Sequence, residues 1–428
     1  MELSKGSAKG LIPLAVFVVT YLTIAIIARN FYAVSVIIPF LIAALSGIII
    51  NRGRSLEDKV ESFCKGAGES NIILMCLIFV LAGAFAEVAK AAGAVESTVN
   101  LGITLLPENL LVTGIFIIAC FISISIGTSM GTIAALTPIA TGVSDKTGIA
   151  LTIIVGAVVG GAMFGDNLSM ISDTTIAATR TQGCKLKDKF KMNFKIVLPA
   201  AIVTAILFTI LTSGQGMKLD GTYKYNIIKI IPYIGVLIAA IAGMNVLTVL
   251  SGGIVLAGGI GIFTGSFGII GLFESMAKGI AGMSELIIIS LIIGGIVELI
   301  KDNGGIDYIL YVISTKIKSK RGAEIGIAAL VSLVDICTAN NTIAIITVGP
   351  IAKNISDKFN LEPKRVAGIL DMFSCVFQGL IPYGAQLLLA SSLAMISPFQ
   401  IMGSLFYPYL MGISALIYIM VFPIKEVE

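Results

Sequence analysis

"GAFAEVAKAAGAVE", residues Gly83–Glu96, returns later in the chain as "GGIVELIKDNGGID", Gly294–Asp307. Gly83 matches Gly294, Glu87 matches Glu298, Lys90 matches Lys301 and Gly93 matches Gly304. A second pair of words keeps nearly the same offset. "GTSMGTIAALTPIATGVSDK" (Gly127–Lys146) and "CTANNTIAIITVGPIAKNISDK" (Cys337–Lys358) share TIA, PIA and SDK, with two residues inserted. Farther on, "FGDNLSMISDTTIAA" (Phe164–Ala178) falls opposite "FQGLIPYGAQLLLAS" (Phe377–Ser391) by position. Chance likeness between apolar segments does not keep landmarks in order. The chain is read as two copies of one unit, a pattern typical of transporters.

Both copies are built from apolar runs. Of 428 residues, 57% are hydrophobic and 13% charged, against about 25% charged in soluble domains. Runs such as Leu11–Ala28, Phe31–Ile50 and Phe194–Leu211 approach the roughly 20 apolar residues that span a bilayer as a helix. The short alternating segments of a β-barrel do not occur. Lys5 and Lys9 precede the first run, but its apolar core is longer than a signal peptide's and no clear cleavage site follows. Six cysteines show no metal spacing, and there is no histidine. Histidine-based catalysis, metal binding and proton relay are therefore excluded. No nucleophile–base pair argues for an enzyme, and no cofactor or nucleic-acid partner is expected.

Repeat one has spans near 11–28, 31–50 and 71–90, a polar stretch at 110–143, a broken span at 149–179 and a last span at 194–213. Repeat two has spans near 227–244, 246–266 and 283–300, a stretch at 324–353, a broken span at 366–394 and a last span at 401–423. If 110–143 and 324–353 are re-entrant hairpins, each half crosses five times. An odd count inverts one half relative to the other. With the N-terminus in the cytoplasm, the cytoplasmic segments carry 22 of the 29 Lys and Arg, as the positive-inside rule asks. The expected fold is an all-α polytopic membrane protein of two inverted-topology repeats. It has about ten transmembrane helices plus two re-entrant hairpins with broken helices. Repeat one is 1–213, an extracytoplasmic linker 214–226, repeat two 227–428, and both termini are cytoplasmic. The outer spans and the last span of each half would form a scaffold around a moving unit of hairpins and broken spans.

Four polar breaks interrupt the apolar runs: "SISIGTSMGT" (Ser123–Thr132), "GDNLSMISDTT" (Gly165–Thr175), "DICTANNT" (Asp335–Thr342) and "QGLIPYGAQ" (Gln378–Gln386). Irregular backbone at membrane depth persists only inside protein or against a watery cavity. Unwound carbonyls, hydroxyls and carboxylates suit a hard cation. Thr128, Ser129, Thr132, Asp335 and Gln386 are candidates on that ground. Asp166, Asp173 and Asp335 stand out, because an intramembrane carboxylate is costly and by default functional. The packing alternative remains for each Ser and Thr. Glu87 and Glu298, near span ends, and Asp371, in the second broken span, are weaker candidates. Asp145 and Asp357 read as solvated.

"GDNLSMISDTT" resembles the signature of the NhaC family of Na⁺/H⁺ antiporters through Gly165, Asp166, Ser169, Ser172, Asp173, Thr174 and Thr175. The resemblance extends from the first hairpin to the C-terminus. It implies an ion site lined by Asp166, Asn167, Ser169, Ser172, Asp173 and Thr174. "CTANNT" resembles hairpin-tip words of the wider ion transporter superfamily and implicates Thr338, Asn340, Asn341 and Thr342. Together these put Na⁺ near Asp166, Ser169, Asp173, Thr174, Asn340 and Asn341. The chain departs from many relatives after the second "IP", where it reads "IPYGAQ", which leaves the solute open.

The expected function is secondary active Na⁺/H⁺ antiport across a prokaryotic inner membrane by alternating access. The alternative is Na⁺-coupled transport of a small amino acid or organic acid. No buried Lys or Arg is evident in the spans to pair with an organic anion, which weighs mildly against that alternative. Helix N-termini and Asn or Thr side chains could bind one instead. A channel would show a filter-like repeat, and none is seen. A homodimer is compatible with the sequence.

Overall fold

The computed structural model describes residues 5–28, 37–50, 53–105, 107–170, 172–213, 224–242 and 244–423. Most of the expected linker, 214–223, lies outside them. The described residues are helical throughout, with no strand among them. The first half runs α1 (Ile12–Ala28), α2 (Ile37–Ile50), α3 (Leu56–Ala67), α4 (Ser70–Ala91), α5 (Ala94–Leu105), α6 (Leu111–Ile126), α7 (Ser129–Thr147), α8 (Leu151–Leu168), α9 (Asp173–Gln182) and α10 (Leu186–Thr212). The second runs α11 (Ile227–Ile241), α12 (Val246–Phe263), α13 (Ile269–Gly282), α14 (Ser284–Asp302), α15 (Gly305–Ser314), α16 (Lys320–Thr338), α17 (Asn341–Phe359), α18 (Pro363–Leu380) and α19 (Ala385–Ala394). It closes with short α20 (Pro398–Met402) and α21 (Phe406–Val421). Apart from α20, the order of helices in the two halves is the same.

Several contacts between the halves come in reciprocal pairs. α3 packs on α14 and α13 on α4; α2 on α14 and α12 on α4; α9 on α17 and α19 on α7. In each such pair the same packing scheme appears once from either half. The closest approaches obey it. A Cβ on Gly66 would lie 2.3 Å from the Gly294 carbonyl oxygen, and one on Gly83 would lie 2.3 Å from that of Gly279. Only glycine lets these backbones touch. Beside each glycine pair an ion pair closes the same joint, Lys65–Glu298 at 2.9 Å and Lys278–Glu87 at 2.9 Å. This is where the structure puts the two repeat-related glutamates.

By length and composition, six helical segments among the described residues can cross a membrane, including Ile72–Ala91, Leu186–Thr212 and the two broken pairs Leu151–Gln182 and Pro363–Ala394. Six shorter apolar helices accompany them. α10 shows the solvent that they meet. It buries Met192, Ile196, Val197, Ala200 and Phe208 and exposes Ile202, Ile206 and Ile210. Large aliphatic side chains presented outward in register belong in hydrocarbon. Five helices were not expected from sequence: α3 and α13, the short α5 and α15 that follow α4 and α14, and the short α20 before α21.

Candidate functional site

Each hairpin turns through a left-handed residue. Gly127 (φ 76°) ends α6, and Ala339 (φ 49°) ends α16. Glycine adopts that conformation freely; alanine does so against its Cβ. The turn aims the N-termini of α7 and α17 inward. α8 and α18 each stop mid-span, at extended Ser169 and Ile381. α9 and α19 then restart at Asp173 and Ala385. Residues of all four restarted helices line one cavity of about 110 Å³ between the two hairpin tips and the two breaks. α4 closes one wall with Leu74, Met75 and Ile78.

Ten of the sequence-derived candidates line this cavity: Thr128, Ser129, Asp166, Ser172, Asp173, Thr174, Asn340, Asn341, Thr342 and Gln386. Asp166 is buried, and its Oδ1 accepts the Ser129 backbone N–H at 2.9 Å. Asp173 is exposed to the cavity. A helix N-terminus carries roughly half a positive charge, and four of them border this cavity. A hydrogen-bond chain crosses from one half to the other. Gln386 Nε2 donates to Ser129 Oγ at 3.1 Å, and Gln378 Nε2 donates to Gln386 Oε1 at 2.6 Å and to the Ala339 carbonyl at 3.2 Å. Ser172 and Thr174 share a hydroxyl contact of 2.9 Å. Asn340 caps α17 through Ile343 N–H.

Six candidates lie behind the cavity wall instead. The Asn167 amide turns away, donating to the Met163 carbonyl at 3.0 Å and meeting Met411 Sδ at 3.0 Å. Ser169 is buried at the C-cap of α8. Thr132 Oγ1 donates to the Thr128 carbonyl, and Thr338 Oγ1 to that of Asn340. Thr175 accepts from Lys189. Asp335 is fully buried on α16, and neither carboxylate oxygen has a hydrogen-bond partner.

The structure corrects one reading. Buried cations do exist: Lys189 is 1% exposed against Asp371 at 2.6 Å, and Arg365 is 3% exposed against Glu324. They fall in segments 180–195 and 353–365, which the charge count assigns to the cytoplasmic side. Lys189 shares a helical face with buried Met192, Asn193, Ile196 and Val197; only that periodicity could have revealed it. Gln378 also escaped selection, although it opens one of the four polar words and, in the last turn of α18, lines the cavity.

Helices that present aliphatic faces outward and break around a cavity lined with hydroxyl, amide and carboxylate groups define a membrane transport protein. The chain belongs to the Na⁺/H⁺ antiporter family, whose model matches residues 3–212 and 222–422. It is 26% identical over 373 residues to the Na⁺/H⁺ antiporter NhaC of Bacillus subtilis (strain 168), covering 78% of this chain and 80% of that one. Its identity to the Na⁺/H⁺ antiporter NhaC of Alkalihalophilus pseudofirmus is 24% over 392 residues, covering 82% of each. It is also 28% identical over 213 residues to the malate-2H⁺/Na⁺-lactate antiporter of Bacillus subtilis, a match covering 49% of this chain and 45% of that one.

Proposed function

We propose that this protein exchanges Na⁺ for H⁺ across a prokaryotic plasma membrane by alternating access. The observation that carries this reading is the cavity holding both Asp166 and Asp173. Two carboxylates at one site repel unless a cation or a proton sits with them. Na⁺ and H⁺ then compete for the same oxygens, and exchange needs no histidine. The ion would lie near Asp166, Asp173 and Thr174, with Asn340, Asn341 and Gln386 completing the wall. Ser169 would act from behind it. Flux into proteoliposomes tests this. An inward Na⁺ gradient should move protons outward, and an equal K⁺ gradient should not. Equal responses to both ions would sink the assignment.

A second reading has one observation in its favour. Helix N-termini also suit a carboxylate ligand, and four of them face this cavity. Na⁺-coupled movement of a small amino acid or organic acid would show in the same vesicles. Labelled-solute uptake would depend on Na⁺, with no Na⁺-driven pH change.

The two halves are proposed to lie inverted, with α6–α7 and α16–α17 as re-entrant hairpins and both termini cytoplasmic. α8–α9 and α18–α19 with the hairpins would form the moving unit against a scaffold of α1, α2, α11, α12, α10 and α21. The bias of Lys and Arg supports this. Single cysteines at Lys187 and Lys318 in a cysteine-free variant should resist an impermeant reagent added outside intact cells. Ready labelling of either position overturns the inverted arrangement.

A further inference from the structure

The gap between α8 and α9 poses a problem that the cavity residues do not solve. A helix end leaves its last carbonyls without partners. At the end of α8, Gly165 O accepts Ser169 N–H at 2.8 Å, and Asn167 O meets a side-chain donor. Its donor comes from α10. Lys189 Nζ reaches Asn167 O at 2.9 Å, Thr175 Oγ1 at 2.6 Å and Asp371 Oδ2 at 2.6 Å. An ammonium group has three protons, and here each has an acceptor. Asn193, one turn along α10, reinforces two of these contacts, meeting Asp371 Oδ2 at 3.0 Å and Asn167 O at 3.4 Å.

We propose that Lys189 is a positioning residue that staples the α8–α9 gap to α18, fixing Asp166 against Asp173, and that it holds Asp371 out of ion binding. The three acceptors lie at the end of α8, in the first turn of α9 and in the middle of α18. Asp166 precedes Asn167 and Asp173 lies two residues before Thr175, so one group governs the spacing of both carboxylates. The cation stands at a helix C-terminus, where the dipole favours it. Lys189 does not line the cavity, and its protons are committed elsewhere. Asp371 is fully buried with a resident cation, so it adds no charge for cargo to balance.

This inference deepens the proposed exchange and rests on it. The test is Na⁺ binding to the purified protein by calorimetry, repeated at several pH values. In the pair variant Lys189→Met/Asp371→Leu both charges leave together, so neither is left buried alone. Its melting temperature should stay near that of the unmutated protein. Its Na⁺ affinity should fall about tenfold, the scale seen when the outer support of an ion ligand is removed, while affinity keeps its dependence on pH. Unchanged Na⁺ affinity overturns the proposal. Loss of the pH dependence also overturns it, because the pair would then carry the proton. Thr175→Val, which removes one acceptor and no charge, provides a second reading should the pair variant not fold. It should weaken Na⁺ binding several-fold, and no change would again overturn the proposal. If the unmutated protein binds no Na⁺, the exchange reading itself falls. If it binds and the pair variant binds equally, only the staple falls.

Discussion

Asp166→Asn is expected to abolish Na⁺-dependent exchange and to remove the dependence of Na⁺ affinity on pH. Asparagine keeps the shape and one oxygen, so Ser129 N–H retains its acceptor, but charge and titration are lost. Removing one member of a buried charge pair costs roughly 2–5 kcal/mol, which sets the loss of Na⁺ affinity at about 100-fold. On the proposed exchange protons compete with Na⁺ in the unmutated protein, so apparent affinity should fall as pH falls. Asp173 is open to the cavity, where water can share its charge. Asp173→Asn should therefore also stop transport, yet leave the residual Na⁺ binding sensitive to pH. Calorimetric titration of both variants across neutral pH decides the matter. A pH-independent Na⁺ affinity in the unmutated protein would remove proton competition and favour Na⁺–solute transport.

Arg365→Met should be strongly destabilising although it lies outside the cavity. Arg365 Nε and Nη2 bond the Glu324 carboxylate, Nη1 reaches the Pro423 carbonyl at 3.2 Å, and the guanidinium lies 4.5 Å from the Tyr418 ring centroid. One side chain thus ties α16, α18 and α21 together. Removing it strands Glu324, which is 0% exposed, and breaking a buried pair this way costs about 3–5 kcal/mol. The melting temperature should fall steeply. Glu324→Leu/Arg365→Met should recover most of it, since a buried pair and an apolar pair of similar size are often nearly equivalent. If the double variant melts as low as the single, the loss lies in the contacts to α21 rather than in the stranded carboxylate.

How much of this could be read from sequence varies by element. The apolar runs anticipated an all-helical membrane chain, and the repeated Gly-x-x-x-Glu-x-x-Lys words fall on α4 and α14, which hold like places in the helix order. α3 and α13 went unseen because each is short and follows a loop. Their role, docking onto the other half through Gly66 and Gly279, is a tertiary fact. The polar breaks could be read because oxygen and glycine are conspicuous among aliphatic residues. Which of their side chains face inward could not. Asn167 and Thr175 sit beside cavity residues yet point behind the wall, a matter of helix phase across a break of unknown geometry. Lys189 was hidden by company: it lies among Lys185, Lys187 and Lys191, and charge counting treats all four alike. Its partner Asp371 belongs to the opposite half, and no local pattern links them.

The cavity has two-fold walls and one-sided charge. Counted from the helix ends, Gln378 stands in α18 where Asp166 stands in α8, and Ala385 opens α19 where Asp173 opens α9. Two identical subunits could not be built this way. Any acidic pair in one would recur in the other, placing four carboxylates around the same small space. Unit charges about 4 Å apart repel by about 4 kcal/mol at an effective dielectric constant near 20, and a monovalent ion could not offset several such terms. Joining the halves in one chain frees each to change alone. One keeps the anionic wall, the other becomes an amide and methyl wall of the same outline, and symmetry survives in shape after it has been given up in charge.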